Sequence, residues 1–224
     1  MLENIGEVMF CKICHEKTYE LLDVQFNIIY HRCTACGFIY QDVESHMPLA
    51  LEKKEYDRHN NSIEDIPYVN MFKKFQKAFE PFLEGKETLE YGSGPEPVFT
   101  QILRNDGFSV TPYDPFYLKD ESFKLKKYDL ITSTEVFEHF SEPIKELTLL
   151  DTLLKPGGVL SIMTQFPKED DHFLNWWYRR DPTHIAFYTR KSFEAICQRF
   201  GYCMVFTNDK DYMILKKNKS LEKN

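Results

Sequence analysis

Four of the six cysteines fall in the first 36 residues, as Cys11-x2-Cys14 and Cys33-x2-Cys36 with eighteen residues between the pairs. No other feature restricts the fold so much, because two thiol-bearing turns must meet face to face to share one ion. A Cys-x2-Cys turn lets both sulfurs reach one Zn²⁺, and Gly37 suits the tight backbone after the second pair. Residues 19–30 are long enough for a hairpin joining the two turns. Four thiolates leave no open coordination position, so Cys11, Cys14, Cys33 and Cys36 predict a structural zinc ribbon. A ribbon that binds substrate or partner is the alternative. His15 and His31 border the ligands but are not needed as ligands.

Clustered cysteines of this kind fit a reducing compartment. The opening MLENIGEVMF carries acidic residues and lacks a basic region before an apolar stretch, so no secretory signal is expected. No run approaches the ~18 apolar residues of a membrane span, and a cytoplasmic protein without membrane partners is expected. Hydrophobic residues make up 42% and aromatics 15% of 224 residues, enough for a packed core. The net charge of -7 argues against a protein that coats nucleic acid, which needs a basic surface.

The ribbon is expected over residues 1–44, a polar, unpatterned linker over 45–66, the main domain over 67–217 and a frayed tail over 218–224. Tyr68, Val69, Phe72, Phe75, Phe79 and Phe82 recur at helical spacing, and Gly85 stops that pattern. A strand at 88–91 then runs into Gly92-Ser93-Gly94 and a helix at 96–105. Strands at 108–113, 128–133 and 159–164 alternate with helices at 142–154 and 189–200, and late strands follow at 202–206 and 212–216. This alternation predicts an α/β fold with a doubly wound, mainly parallel sheet. Cys197 and Cys203 fall in the last helix and a late strand, where a core role suffices.

The glycine turn lacks the third glycine of a dinucleotide loop, which would stand at Pro97, and no lysine follows in phosphate-loop register. In their order and spacing, LEYGSG, VTPYDP, YDLITSTEVFEHF, LKPGGVLSI and DPTHIAFYT followed by FEAICQRFGY resemble a class I S-adenosylmethionine-dependent methyltransferase. The resemblance covers residues 67–217. It implies a Rossmann-like sheet with an antiparallel last strand, and a cofactor site at Glu90, Gly92, Ser93, Gly94, Asp114, Thr134 and Glu135. Glu90 would bind the methionine ammonium, directly or through water, and Asp114 the two ribose hydroxyls. Without a ligand role, Glu90 would organise the loop and Asp114 would begin the turn at Pro115. Two departures stand out. Glu96 occupies the third small position of the loop, and only about 14 residues separate Asp114 from Tyr128. One edge strand should therefore be reduced or missing. Phe116, or the end of the 128–133 strand, could cover the adenine.

Glu135, Glu138 and His139 are spaced to face one side of a helical turn, with His184 as a further partner. Such a set could bind a divalent ion. The Glu-x-x-Glu-His pattern resembles ubiquinone-pathway O-methyltransferases and small-RNA 3′-end 2′-O-methyltransferases, in which a metal polarises vicinal hydroxyls. Glu-His also occurs here in metal-free methyltransferases. Without metal, His139 or His184, supported by Glu138, would be the general base; otherwise His139 is simply buried against Glu138. Trp176, Trp177, Tyr178, Arg179 and Arg180 would overhang the acceptor, the arginines pairing with carboxylate or phosphate, or would form a lid with solvated arginines. The expected function is O-methylation of a small molecule by in-line transfer. The alternatives are an RNA base methyltransferase with a zinc-binding N-terminus, or a non-catalytic binding protein with a degenerate cofactor loop.

Overall fold

A computed structural model describes residues 9–58 and 61–219. The N-terminal stretch read as non-secretory lies almost wholly outside the described residues, as does the tail beyond residue 219. The cysteine segment forms a hairpin of β1 (Thr18–Asp23) and β2 (Ile28–Cys33), Thr18 opposite Cys33 and Asp23 opposite Ile28. β3 (Ile39–Gln41) continues this antiparallel sheet. Residues 45–66 carry a helix, α1 (Leu49–Tyr56), that the polar sequence did not signal. None of its residues is buried, which is why it leaves no apolar stripe to read.

α2 (Ile66–Phe79) begins where Asp65 accepts a hydrogen bond from the Tyr68 N–H and Pro67 occupies the first turn. Its buried face is Val69, Phe72, Phe75 and Phe79. The alternating units follow: β4 (Glu87–Tyr91), α3 (Val98–Asn105), β5 (Ser109–Tyr113), β6 (Tyr128–Thr134), α4 (Pro143–Leu153) and β7 (Leu154–Met163). Then come α5 (Asp170–Asn175), β8 (Ala186–Phe187), α6 (Arg190–Phe200), β9 (Tyr202–Thr207) and β10 (Tyr212–Lys217).

The main sheet runs β5-β4-β6-β7-β10-β9. β5, β4, β6 and β7 are parallel, and β10 is antiparallel to both of its neighbours. Six strands pair, with β5 at one edge and β9 at the other, and no strand lies outside β5 among the described residues, which fits the expected loss of an edge strand. The short passage from β5 to β6 holds only a 3₁₀ turn, Glu121–Leu125, whose Phe123 is buried. Successive strand residues serve opposite faces. Ile131 and Leu160 join one apolar cluster, while Leu130 and Val159 join the other with Phe72, Phe75, Phe79 and Phe99. The first cluster also contains Cys11, Ile13, Phe38 and Tyr40, so the cysteine module packs into the main core. β8 pairs with β3, Ile39 opposite Phe187 and Tyr40 opposite Ala186.

Cys203 departs from its expected core role: it is exposed on β9, an edge strand, while Cys197 is half-buried. No helix among the described residues is long and apolar enough to cross a membrane. The parallel strands bring Tyr91, Tyr113, Thr134 and Met163 to one end of the sheet, where ligands bind in open α/β folds.

Candidate active site

β4 delivers the chain into a turn at Gly92 and Gly94, with φ of 87° and 68°. A Cβ at Gly92 would press into Val136, whereas one at Gly94 would meet nothing within 4 Å. The first glycine therefore lets the backbone pass Val136, and the second leaves open space beside the loop. Gly92 and Ser93 N–H both donate to the Tyr113 carbonyl, at 2.8 and 3.0 Å. Asp114 ties the loop to the turn after β5. One carboxylate oxygen accepts from Gly94 N–H at 3.0 Å, and the other from Phe116 and Tyr117 N–H at 2.8 and 3.1 Å. Glu90 lies beneath the loop, 3% exposed, and accepts from the Thr100 hydroxyl of α3. Burial pushes its carboxyl up to about 7.

After β6 the chain kinks at Glu135, with φ of 53°, and makes a 3₁₀ turn over Phe137–His139. The Tyr178 hydroxyl faces Glu135 Oε2 at 3.0 Å and also touches Glu138 Oε1. One hydroxyl proton cannot serve two carboxylates, so at least one of these carboxyls carries a proton when both contacts are made. Burial raises both pKa values, and the Glu138 charge raises Glu135 further. The sequence pointed to the two glutamates but not to Tyr178 as the group joining them.

His139 Nδ1 lies 2.9 Å from the Thr183 carbonyl, and His184 Nδ1 lies 2.7 Å from the Tyr178 carbonyl. A carbonyl only accepts, so each ring donates its Nδ1–H there, and Nε2 becomes the proton-accepting nitrogen of the neutral ring. Burial lowers the His139 pKa. The two rings meet edge to face with centroids 5.0 Å apart. Glu138, His139 and His184 each offer a ligand atom within 4.8 Å of the others, and Glu138 Oε2 is buried without a hydrogen-bond partner. Glu135, expected in the same ion site, lies outside this close set.

A cavity of about 1050 Å³ joins these parts. Gly94, Asp114 and Phe116 line it at the loop, and Tyr56, Tyr68, His139, Tyr178 and His184 line it beyond Thr134 and Glu135. Tyr56 of α1 packs edge-on between Phe116 and His139, at centroid distances of 5.4 and 5.3 Å. No sequence pattern marked Tyr56, which sits in the polar stretch. Arg180 is solvated, as the lid reading expected, but Arg179 fits neither sequence reading. Arg179 is 3% exposed and pairs with Asp23 of β1, while Arg180 is exposed and outside the lining. Lys119 is the one lysine or arginine among the lining residues described.

The four cysteine sulfurs lie within 4.8 Å of one another. Cys11 and Cys36 Sγ are 3.6 Å apart, and Cys14 and Cys33 Sγ are 3.4 Å apart. A zinc tetrahedron with bonds of about 2.3 Å has edges of about 3.8 Å, so the four residues fit the ion. Ile13 and Cys36 N–H point at Cys11 and Cys33 Sγ, each at 3.3 Å, as donors to thiolate.

A family model described as a methyltransferase domain matches residues 62–205. No curated protein matches. Among solved structures, an S-adenosylmethionine-dependent methyltransferase from Archaeoglobus fulgidus is 15% identical with a TM-score of 0.50, over 76% of this chain and 100% of that one. The CurJ carbon methyltransferase is 15% identical with a TM-score of 0.43, over 77% of this chain and 59% of that one. The mitomycin 7-O-methyltransferase MmcR is 12% identical with a TM-score of 0.48, over 75% of this chain and 67% of that one. This chain thus spans about three-fifths of the CurJ enzyme's length. The matched segment takes in more than half of the chain, including the glycine turn, Asp114 and the Glu135–His139 kink, and the chain belongs to the methyltransferase-domain family.

Proposed function

We propose that the protein transfers a methyl group from S-adenosylmethionine to an oxygen of a small molecule. The observation that carries this reading is the single cavity running from the glycine loop and Asp114 to two histidines whose accepting nitrogens are set by backbone carbonyls. When bound, the cofactor supplies an electrophilic methyl on a sulfonium. The chain's own work is to bind, align and remove a proton. Gly92, Ser93 and Gly94 would admit the cofactor against the backbone, with Thr134 and Glu135 beside it. Asp114 would take the ribose hydroxyls, Glu90 the ammonium, and Phe116 one face of the adenine. His139 or His184 would accept the acceptor's hydroxyl proton at Nε2, with Glu138 behind them. The dearth of lining arginine and lysine argues against an anionic acceptor and gives no support to an RNA substrate.

Calorimetry with S-adenosylmethionine and S-adenosylhomocysteine tests the reading, followed by screening phenols and other hydroxyl compounds for release of S-adenosylhomocysteine. No binding below millimolar concentration would refute the enzyme and leave a binding module. Retardation of RNA that weakens with salt would favour the RNA alternative.

One observation favours a second version, with a divalent ion: the partnerless, buried Glu138 Oε2 beside His139 and His184. An oxygen and two imidazole nitrogens form a donor set suited to such an ion, which would lower the pKa of an acceptor hydroxyl. Mn²⁺ titration followed by electron paramagnetic resonance should then give a site lost in Glu138→Gln. Equal binding by the variant would exclude it.

A further inference from the structure

The cysteine module and the acceptor side of the cavity are parts of one sheet. β8 exists only as a partner of β3, and its two residues are too few to stand as a strand alone. Just before it, the Ile185 carbonyl accepts from Gln41 N–H of β3 at 2.8 Å, and Ile185 N–H donates to the Glu138 carbonyl at 2.8 Å. Just after it, the Thr189 hydroxyl donates to the carbonyl of Cys36, itself one of the four thiols, at 2.6 Å. At the other end of the segment, Arg179 and Asp23 form an ion pair with both residues 3% exposed. Residues 179–189 are thus fastened to the module at both ends.

The same segment supplies both histidine-orienting carbonyls or sits directly against them. Thr183 holds His139, and Tyr178, next to Arg179, holds His184. The glycine loop and Asp114 are organised by β4 and β5, and none of their hydrogen bonds described above reaches the module.

We propose that metal bound at the four cysteines sets the orientation of His139 and His184, with Cys36 and Asp23 acting as positioning residues, so that metal occupancy governs the acceptor half of the cavity and leaves the cofactor half intact. The description of that half as the acceptor side rests on the proposed function; the mechanical coupling does not.

The test compares the zinc-loaded full chain with the same chain after zinc chelation, and with zinc-loaded Asp23→Asn. Hydrogen exchange of peptides across 170–189 should speed up about tenfold or more on chelation, while peptides across 87–94 and 128–134 keep their protection. Asp23→Asn should reproduce the effect within 170–189 without losing zinc. In ¹⁵N spectra of histidine-labelled protein, the Nδ1–H tautomer signature of His139 and His184 should be lost with the metal. The affinity for S-adenosylhomocysteine should change by less than about threefold, since its site is held by other strands. Unchanged exchange in 170–189, or equal loss of protection in β4 and β6, overturns the coupling. If S-adenosylhomocysteine binds no form of the chain while the exchange pattern appears, the proposed function fails and the coupling stands.

Discussion

With Glu90 in its proposed role of ammonium partner, cofactor binding becomes a proton-linked event. Burial raises its carboxyl to about 7 from an ordinary 4.5, so the folded chain favours the protonated form. The sign follows directly. The stability contributed by the protonated form is complete below about pH 4.5 and is lost as pH rises through about 7, up to roughly 3 kcal/mol. An ammonium group reverses the preference, because it pairs with the ionised carboxylate. Binding should therefore expel a proton and strengthen as pH rises. The ionised fraction goes from about 0.03 at about pH 5.5 to about 0.8 at about pH 7.5, which gives about 25-fold tighter binding over that range. At pH high enough to deprotonate the ligand's own amine, the gain should end. Calorimetry with S-adenosylhomocysteine in buffers of different ionisation enthalpy measures both the slope and the proton count, expected near one half at about pH 7. Glu90→Gln retains an acceptor for the Thr100 hydroxyl but carries no charge. It should flatten the pH slope, abolish proton release, and weaken binding at about pH 7.5 by about 10- to 100-fold. Without ligand, the variant should resist urea better than the parent at about pH 8. A slope that survives Glu90→Gln would assign the linkage to another group and remove Glu90 from the ammonium site.

The two loop glycines should part company. Gly92→Ala drives a methyl into Val136 at a left-handed φ and should cost about 2–4 kcal/mol in denaturant unfolding; Gly94→Ala should cost only about 1 kcal/mol, yet weaken S-adenosylhomocysteine binding. Asp114→Ala strands three backbone N–H groups and should lower both thermal stability and cofactor affinity, with Asp114→Asn intermediate; unchanged affinity in both would remove the ribose role. Arg179→Met leaves Asp23 as a buried, unpaired charge and should cost about 3–5 kcal/mol in chemical unfolding, where a surface arginine would give almost none. Elemental analysis should find about one zinc per chain in the purified protein and none in Cys33→Ser; zinc-free, folded parent protein would refute the ribbon.

Much of the fold was legible because its elements advertise themselves locally. α2 shows its buried face in Val69, Phe72, Phe75 and Phe79, and the core strands are short apolar runs bounded by turn residues. The glycine turn, Asp114, His139 and His184 could be named because each sits at a strand end or in a marked turn, and the structure brings them to one cavity, with Glu138 buried behind the histidines. What escaped depends on distant partners. β3 and β8 have three and two residues and no pattern of their own. α1 is fastened by side chains, Asp57 taking a hydrogen bond from the Tyr117 hydroxyl at 2.7 Å and Tyr56 packing on Phe116. Arg179 looked like a ligand group because nothing near it in sequence announces Asp23, on the far side of the chain.

The β3–β8 pairing also bears on the order of folding. The four cysteines are close in sequence and can gather an ion as soon as residue 36 has left the ribosome, but the strand that completes their sheet lies about 150 residues later. Throughout that interval β3 presents an unpaired edge, open to the wrong strand of another chain. The late arrival of Ala186 and Phe187 therefore covers the β3 edge, and a nascent chain stalled before them would be the form most in need of a chaperone.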